Sequence, residues 1–473
     1  MTAIRAATAG LALLLAVACT PPAAPRSESN TAGGTVCAPP QGRPPAQTPT
    51  TIDVIEQAYF CILGHYYSGA TLDARSLLTS GFIALTRELD LSGRDVPDAT
   101  MPALTGDRKA DWAAFEAVYR KVTAQVPDLS GKLAVTTLQA IVAALGDNHA
   151  TWVHDLGGAP PGYHDGDGYG LGLQASVNGA QVNGNPGAAL PPLFVTVVEG
   201  GAARAAGVRP GDIVESIDGS APFIDGQPTP AIAALYPRYP QAGPVELRLL
   251  RQSTGRRWRV TLKPGVYERD LAALQGVTSK PLGNGIAYVR VRAFAPDAAD
   301  RVLKGISRLR TGRTLTGVVL DLRGNGGGSA PEAIRLLSAF VHGRVTAYLC
   351  TADARCEALR TDDTVELLGL PLAVLTDRSC ASACEHFSSA VKDLGIGRLV
   401  GTRTAGAVSG PSEPFQLSNN TMLSFPLRHH LGPNRETLDR IGVPPDHHVP
   451  LTPEDAATGR DPALAKALAL LEK

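Results

Sequence analysis

A chain of 473 residues exceeds a single ordinary core, so two or three domains are the natural expectation. Its 44 basic residues balance 44 acidic ones, which leaves no cationic excess to displace counterions and argues against a nucleic-acid partner. With 44% hydrophobic and 19% charged residues the composition is that of an ordinary globular protein, and 50 glycines with 37 prolines suit many turns and linkers.

Arg5 precedes the apolar run Gly10–Ala18 (GLALLLAVA), too short to span a bilayer, and Ala16-Val17-Ala18 offers a small-residue cleavage site. Residues 1–18 therefore read as a signal peptide. Cys19 follows at once, and LAVAC resembles a bacterial lipoprotein signal, which implies a lipid anchor on Cys19 as the first mature residue. Ala16 stands where leucine is usual, so plain secretion by cleavage after Ala18 is the alternative. Either way the mature protein leaves the cytoplasm, and the expected place is the cell envelope, anchored through Cys19 on a periplasmic or other extracytoplasmic face.

Six further cysteines in an exported chain permit disulfides. Cys350 and Cys356 flank TADAR as a hairpin tip would, and Cys37 with Cys61 would staple the linker to the first helix. Cys380 and Cys384 read as two small buried residues rather than a bond, with a redox-gating pair as the alternative. No CxxC or His-rich spacing suggests a metal site, and the pair His447-His448 alone is a weak one.

Residues 19–50, rich in Pro, Ala, Ser, Thr and Gly and without apolar periodicity, read as a disordered linker. Residues 51–160 turn helical, with Ile52, Ile55, Ala58 and Tyr59 on one face, then Phe82, Leu85 and Leu89, then Trp112–Val122. A last helix bearing Leu138, Ile141, Val142 and Leu145 stops at Gly146. Just beyond it, Asp147-Asn148-His149 leaves a histidine free to enter a cleft.

Residues 165–265 change texture. GYGLGL (Gly168–Leu173) opens the region, a β run Phe194–Val198 follows, and then Ala206–Val214 (AGVRPGDIV) with Ile217-Asp218-Gly219. These motifs resemble a PDZ domain. The resemblance implies that the amides of Tyr169, Gly170, Leu171 and Gly172 cradle a peptide carboxylate while the peptide adds to a strand edge. A retained lid or spacer is the alternative.

Residues 275–473 alternate strands and helices: a half-buried strand Ile286–Phe294, a helix Ala298–Leu309, a buried strand Thr316–Leu322 and a closing helix Asp461–Leu471. The buried strand runs into Arg323-Gly324-Asn325-Gly326-Gly327-Gly328, glycines that allow close backbone approach; a P-loop is excluded because no Lys-Ser/Thr ending follows. The stretch Leu372–Glu385 (LAVLTDRSCASACE) reads as a buried strand, a polar turn and Ser382 at the mouth of a helix with Ala383, Phe387, Ala390, Val391 and Leu394 on one face. A serine there has backbone amides and the positive helix end beside it, as a nucleophile needs; a plain helix cap is the alternative.

DLRGNGGG followed by SCASACE, behind a helical region and a PDZ-like segment, resembles the C-terminal processing (tail-specific) serine peptidases and the related tricorn-core peptidases. The resemblance implies an α/β fold: a ClpP/crotonase-like peptidase core with an N-terminal helical region and an inserted PDZ domain. It implies that Ser382 attacks a peptide carbonyl, that the amide of Ala383 with that of Gly326 or Gly327 holds the oxyanion, and that no cofactor takes part.

One branch of the family places a lysine base about twenty-five positions after the serine, where this chain has Ala407; Lys392 lies on the serine's own helix, two to three turns away. The tricorn-like branch uses a histidine from the helical region, and His149 matches it. That branch orients the imidazole with a serine before the histidine and with a downstream glutamate; here Asn148 and Asp439 stand in those places, with Glu436, Asp147 and His154 as other candidates. Asp446 reads as structural. The expected function is an exported serine endopeptidase acting on unfolded or tail-presented polypeptides; the alternative is a non-catalytic peptide or ligand receptor on the same fold.

Overall fold

The computed structural model describes residues 37–40, 42, 46–154, 160–176, 191–240, 242–269 and 276–472. The expected signal peptide, Cys19 and most of the linker lie outside the described residues.

Four helices open the body: α1 (Ile52–His65), α2 (Ala74–Leu91), α3 (Arg108–Gln125) and α4 (Ser130–Ala143). Asp73 and Asp107 cap α2 and α3 by accepting N–H bonds from the first turn, which satisfies donors that the helix itself cannot. Ile55, Tyr59, Leu85, Leu138 and Ile141, on the faces read from three-and-four spacing, are all buried, and Ile62, Leu77 and Phe115 are buried with them. Gly81 lets α2 and α4 touch, since a Cβ there would sit 2.9 Å from Ile141 Cγ1. Cys37 is bonded to Cys61 of α1.

This helical core does not close on itself. Phe415, Leu417, Leu423 and Phe425, from a hairpin far downstream, are part of it. The strand Thr151–Val153, just past His149, pairs antiparallel with Met422–Pro426, which in turn pairs with Ser412–Gln416. That pairing lays the residues before Thr151 beside those before Ser412.

A small β region follows, with its own core built from Leu171, Leu173, Val195, Val214, Ile217, Ile232 and Leu247 among others. Ile213–Ile217, Val245–Arg251 and Arg256–Leu262 form a three-stranded antiparallel sheet. Within AGVRPGDIV, Asp212 is buried and accepts two bonds from the Arg251 guanidinium at 2.8 and 2.9 Å, so its charge is matched where water is excluded. Gly211 (φ 86°) passes within reach of Pro453 O and Ala457, where a side chain would clash, and so seats this region against the chain's end.

The remainder is built on a six-stranded sheet in the order β1 (Val277–Pro281), β2 (Ile286–Val291), β3 (Gly317–Asp321), β4 (Leu372–Thr376), β5 (Arg398–Gly401), β6 (His447–His448). Only β1 runs antiparallel to its neighbour. The connecting helices α5 (Ala298–Arg310), α6 (Ala330–Ser338) and α7 (Ala383–Asp393) pack with Val289, Val318, Leu320, Val374 and Leu399 in one core. Strands that advance in one direction through right-handed crossovers put these connecting helices on the same face. The other face, Ile286, Val319, Ala373, Leu375 and Val400, is covered by α8 (Pro462–Leu471) through Ala463 and Ala467. Burying each large aliphatic here is worth about 1.5–3 kcal/mol. Arg323 ties the end of β3 to α8, pairing with Asp321 and with Asp461, the α8 N-cap.

His447 and His448 form the sheet's edge strand beside β5. Asp446 accepts the Leu399 N–H at 2.8 Å and so anchors the start of β5. Cys350 and Cys356 are bonded across the hairpin that they flank. Cys380 and Cys384 are bonded as well, which corrects their reading as unlinked packing residues. Their positions flank a turn that brings the two sulfurs together, a constraint that side-chain size does not reveal.

Candidate active site

The carboxyl ends of β3 and β4 point to one place, where open parallel sheets present their ligands. β4 ends at Thr376, the chain turns through Asp377–Ala381, and Ser382 stands at the N-cap of α7 with φ 55° and ψ −120°. Its side chain makes no capping bond, so the cap reading fails. Such a backbone costs a non-glycine residue about 1–3 kcal/mol and persists only where its surroundings impose it. The Ser382 N–H donates to Ala407 O at 2.8 Å.

Gly327 (φ 102°) lies directly against the serine: a Cβ there would sit 2.6 Å from Ser382 Cβ and 2.7 Å from Ala381 O. Its own N–H donates to Asn325 Oδ1 at 2.8 Å and is therefore spent. Gly327 thus provides room rather than an oxyanion donor, a correction to the sequence reading. The N–H groups of Ala383 and Gly326 meet no acceptor among the described residues, and they remain as the pair able to face an anion. Asn325, which sequence reasoning passed over, is fully buried and orders this loop: its Nδ2 donates to Val291 O and its backbone carbonyl accepts from Ala381 N.

His149 arrives from the helical region. Ser412 Oγ donates to its carbonyl, and Asp147 Oδ1 accepts its N–H. The imidazole Nδ1 lies 2.7 Å from Asn148 Oδ1 and 3.2 Å from Ser409 Oγ. Asn148 Nδ2 faces Gly406 O at 3.4 Å, so its oxygen faces the ring. Ser409 Oγ donates to Asp147 Oδ1 at 2.7 Å, so toward the ring it is an acceptor. Two acceptors at Nδ1 place the proton there and leave the lone pair on Nε2, the tautomer a base needs. Tyr66 O–H completes the chain by donating to Asp147 Oδ2 at 2.8 Å. Burial pulls the imidazole below its ordinary value, against the charges of Asp147 and Asp439.

Three expected partners behave otherwise. Asp439 is buried and accepts the Val408 N–H at 3.3 Å, with no bond to His149; burial, then the charge of Asp147, raises its carboxyl above the usual range. Glu436 accepts from Asn434 N and faces Asp393, and His154 pairs with Gln139. Of the alternatives only Asp147 reaches the imidazole's surroundings, through Ser409. The physical reason is register: the strand at Thr151 sets His149 beside Ser409, a contact that motif position does not encode.

Among the described residues the Ser382 hydroxyl makes no hydrogen bond, so the direct bond to His149 is not made. The two are linked instead through one segment. Ala407 O holds the serine N–H, Gly406 O meets Asn148, and Ser409 meets His149. Glu385 fixes that segment: fully buried, it accepts from Thr404 Oγ1 at 2.5 Å, Gly406 N at 2.7 Å and Ala407 N at 2.6 Å. Burial outweighs those donors and raises its carboxyl to about 7. Lys392 donates to Pro444 O, far along α7 from Ser382.

In the small β region, Tyr169 and Gly170 pair with Val266 and Gly265, and the carbonyls of Leu171 and Gly172 accept from Ala203 and from Glu199 and Gly200. Gly172 (φ 80°) lies so close to Gly200 O that no Cβ fits. Among the described residues no cluster of three or more His, Cys, Asp or Glu is arranged to hold a metal ion.

Residues 285–449 match the family model of peptidase family S41. The chain is similar to a carboxyl-terminal-processing peptidase, chloroplastic, of Arabidopsis thaliana, at 31% identity over 315 residues, covering 62% of this chain and 58% of that protein. It is also similar to tricorn protease homolog 1 of Streptomyces coelicolor, at 27% identity over 277 residues, covering 57% of this chain and 24% of that one. The chain thus spans less than two thirds of the length of these curated relatives. The solved structure of the photosystem II D1 C-terminal processing protease has the same mixed α/β fold, with a TM-score of 0.50 and 21% identity over 85% of this chain and 93% of that chain.

Proposed function

From the premise that residues 285–449 are a peptidase family S41 segment, we propose that the protein is a serine endopeptidase hydrolysing peptide bonds of unfolded or tail-presented polypeptides. Ser382 attacks the carbonyl carbon, His149 Nε2 takes the hydroxyl proton and returns it to the leaving amine, and the amides of Ala383 and Gly326 receive the oxyanion. Asn148 and Ser409, backed by Asp147, keep the imidazole in the right tautomer. The observation that carries this reading is a serine at a helix start with an imposed positive φ together with a half-buried imidazole whose Nδ1 is fully committed. Catalytic hydrogen bonds are often long without substrate and tighten in the Michaelis complex, which accommodates the unmade Ser382–His149 bond.

Residues 165–265 act as a PDZ domain that presents polypeptide tails through Tyr169–Gly172. The sequence before Cys19 exports the protein, and a lipid on Cys19 holds it at the extracytoplasmic face of a membrane. Ser382→Ala and His149→Ala are each expected to lower kcat on casein by about 10³-fold or more while circular dichroism stays unchanged. A fluorophosphonate probe is expected to label Ser382. Full cleavage by both variants would falsify the assignment. The unmade Ser382–His149 bond favours a second reading, a peptide receptor; it predicts tight peptide binding by the wild type, no turnover and no probe labelling.

A further inference from the structure

Ser382 sits in the middle of a covalent ring. Cys380 and Cys384 are joined by a disulfide, two positions before and two after it, and both are fully buried. The residue at the centre is the one whose backbone is forced into φ 55°, ψ −120°. Its side chain contributes nothing to holding that shape, and its N–H has a single anchor, Ala407 O. On either side the ring is fastened by short backbone bonds: Ala405 N donates to Cys380 O at 2.9 Å and Cys384 N to Ala381 O at 3.0 Å.

Resting on the serine peptidase reading above, we infer that the Cys380–Cys384 disulfide is the positioning element that holds Ser382 and the Ala383 amide in reactive geometry, so that the protein becomes a competent hydrolase only after this bond forms. A strained residue needs surroundings that exclude its relaxed basins. The disulfide fixes the span between residues 380 and 384, and a rotation of Ser382 toward an ordinary helical or extended backbone changes that span. Without the bond, one rotation carries the hydroxyl and the Ala383 N–H out of place together, because the amide follows the serine in the chain. Substrate grips elsewhere are untouched.

Reduction by a dithiol delivers two electrons and two protons to the bond and leaves two thiols, while the dithiol closes to its own disulfide. Both sulfur-bearing residues are shielded from water, so the bond acts as a maturation step in an oxidising compartment rather than as a fast switch. A chain still in a reducing compartment would be folded and latent.

The test uses the full chain and casein as substrate. The double variant Cys380→Ala/Cys384→Ala is expected to lose kcat by on the order of a hundredfold, the cost of about 1 Å of misplacement, with KM within about twofold. Fluorophosphonate labelling of Ser382 is expected to slow in parallel, with the circular dichroism spectrum kept. If the pair merely fills space, the variant loses thermal stability and keeps kcat, and the inference is overturned. Should the variant not fold, the informative protein carries Cys37→Ala/Cys61→Ala and Cys350→Ala/Cys356→Ala, leaving this one disulfide among the six cysteines. Dithiothreitol should then silence it as two thiols map to Cys380 and Cys384, and oxidised glutathione should restore it; retained turnover after both thiols are counted overturns the inference. Oxidised wild type that cleaves nothing would instead remove the peptidase reading itself.

Discussion

Ser382 and His149 are held in different ways. The serine's anchors come mostly from its own neighbourhood, namely the 380–384 disulfide, Glu385 one turn into the same helix, and the Ala407 carbonyl that Glu385 fixes. His149 has near anchors in Asn148 and Asp147, but it also needs remote ones: Ser409 at the ring and Ser412 at the carbonyl lie 260 and 263 residues away, and Tyr66, which supports Asp147, lies 81 residues from it. A nucleophile on a strained turn needs rigidity at short range, which a strand, a helix start and a cross-link supply. In the proposed reaction the base needs one ring nitrogen occupied and the other clear, and here Ser409 joins Asn148 at Nδ1 only because two distant chain segments pair.

This contrast predicts two kinds of variant. Gly327→Ala drives a methyl into Ser382 and Ala381, and kcat is expected to fall by about a hundredfold or more with the acid limb of the pH–rate profile unmoved. Gly326→Ala meets open space and should keep activity within a few-fold, so equal losses at both positions would break the comparison. Asp147→Asn is expected to lower kcat by about tenfold to a hundredfold and, unlike Gly327→Ala, to shift the acid limb. The sign follows from the charges: Asp147 raises the His149 pKa against burial, so its removal lets the imidazole stay neutral to still lower pH. In the wild type that limb should already lie below the ordinary imidazole value of about 6.5. An unmoved limb in Asp147→Asn would show that the remote network packs the ring without tuning it.

A smaller effect concerns stability beneath the site. His386 is fully buried with Nδ1 unpartnered, and burial lowers its pKa to about 4; burial, and then the charges of His386, His429 and His149, lower His430 well below its usual value. The unfolded chain binds protons below about pH 6.5 that the folded His386 refuses until about 4. Stability is therefore complete above pH 6.5 and is lost as pH falls toward 4, by ~3 kcal/mol for this one group. Urea midpoints across that range should follow this slope, and His386→Gln should flatten it. The smallest effect is expected at Asp439→Asn, within about threefold in kcat, because Asp439 bonds Val408 N and not the imidazole. A loss matching that of Asp147→Asn would return Asp439 to the orienting role.

Much of this was legible along the chain. The buried runs at β3 and β4, the helix faces of α1, α2, α4, α7 and α8 and the placement of Ser382 between strand and helix follow from apolar periodicity and turn residues, whereas α6 carried no such reading. Gly327 shows where such reading stops. Its glycine identity marked a close approach, but whether its amide faced an anion or the side chain of Asn325 depended on how the loop closed.

The sequence by itself determined the elements and the serine's perch, because hydrophobic spacing and backbone sterics act over a few residues and leave their mark in order. Tertiary structure alone decided that Ser409 and Asp147 rather than Asp439 serve His149, and that Cys380 is bonded to Cys384. Those outcomes depend on side-chain direction at distances of a few ångströms. Such directions are set when the strand at Thr151 takes its register on Met422–Pro426 and when the turn at Ser382 is forced left-handed, and no local pattern carries that information.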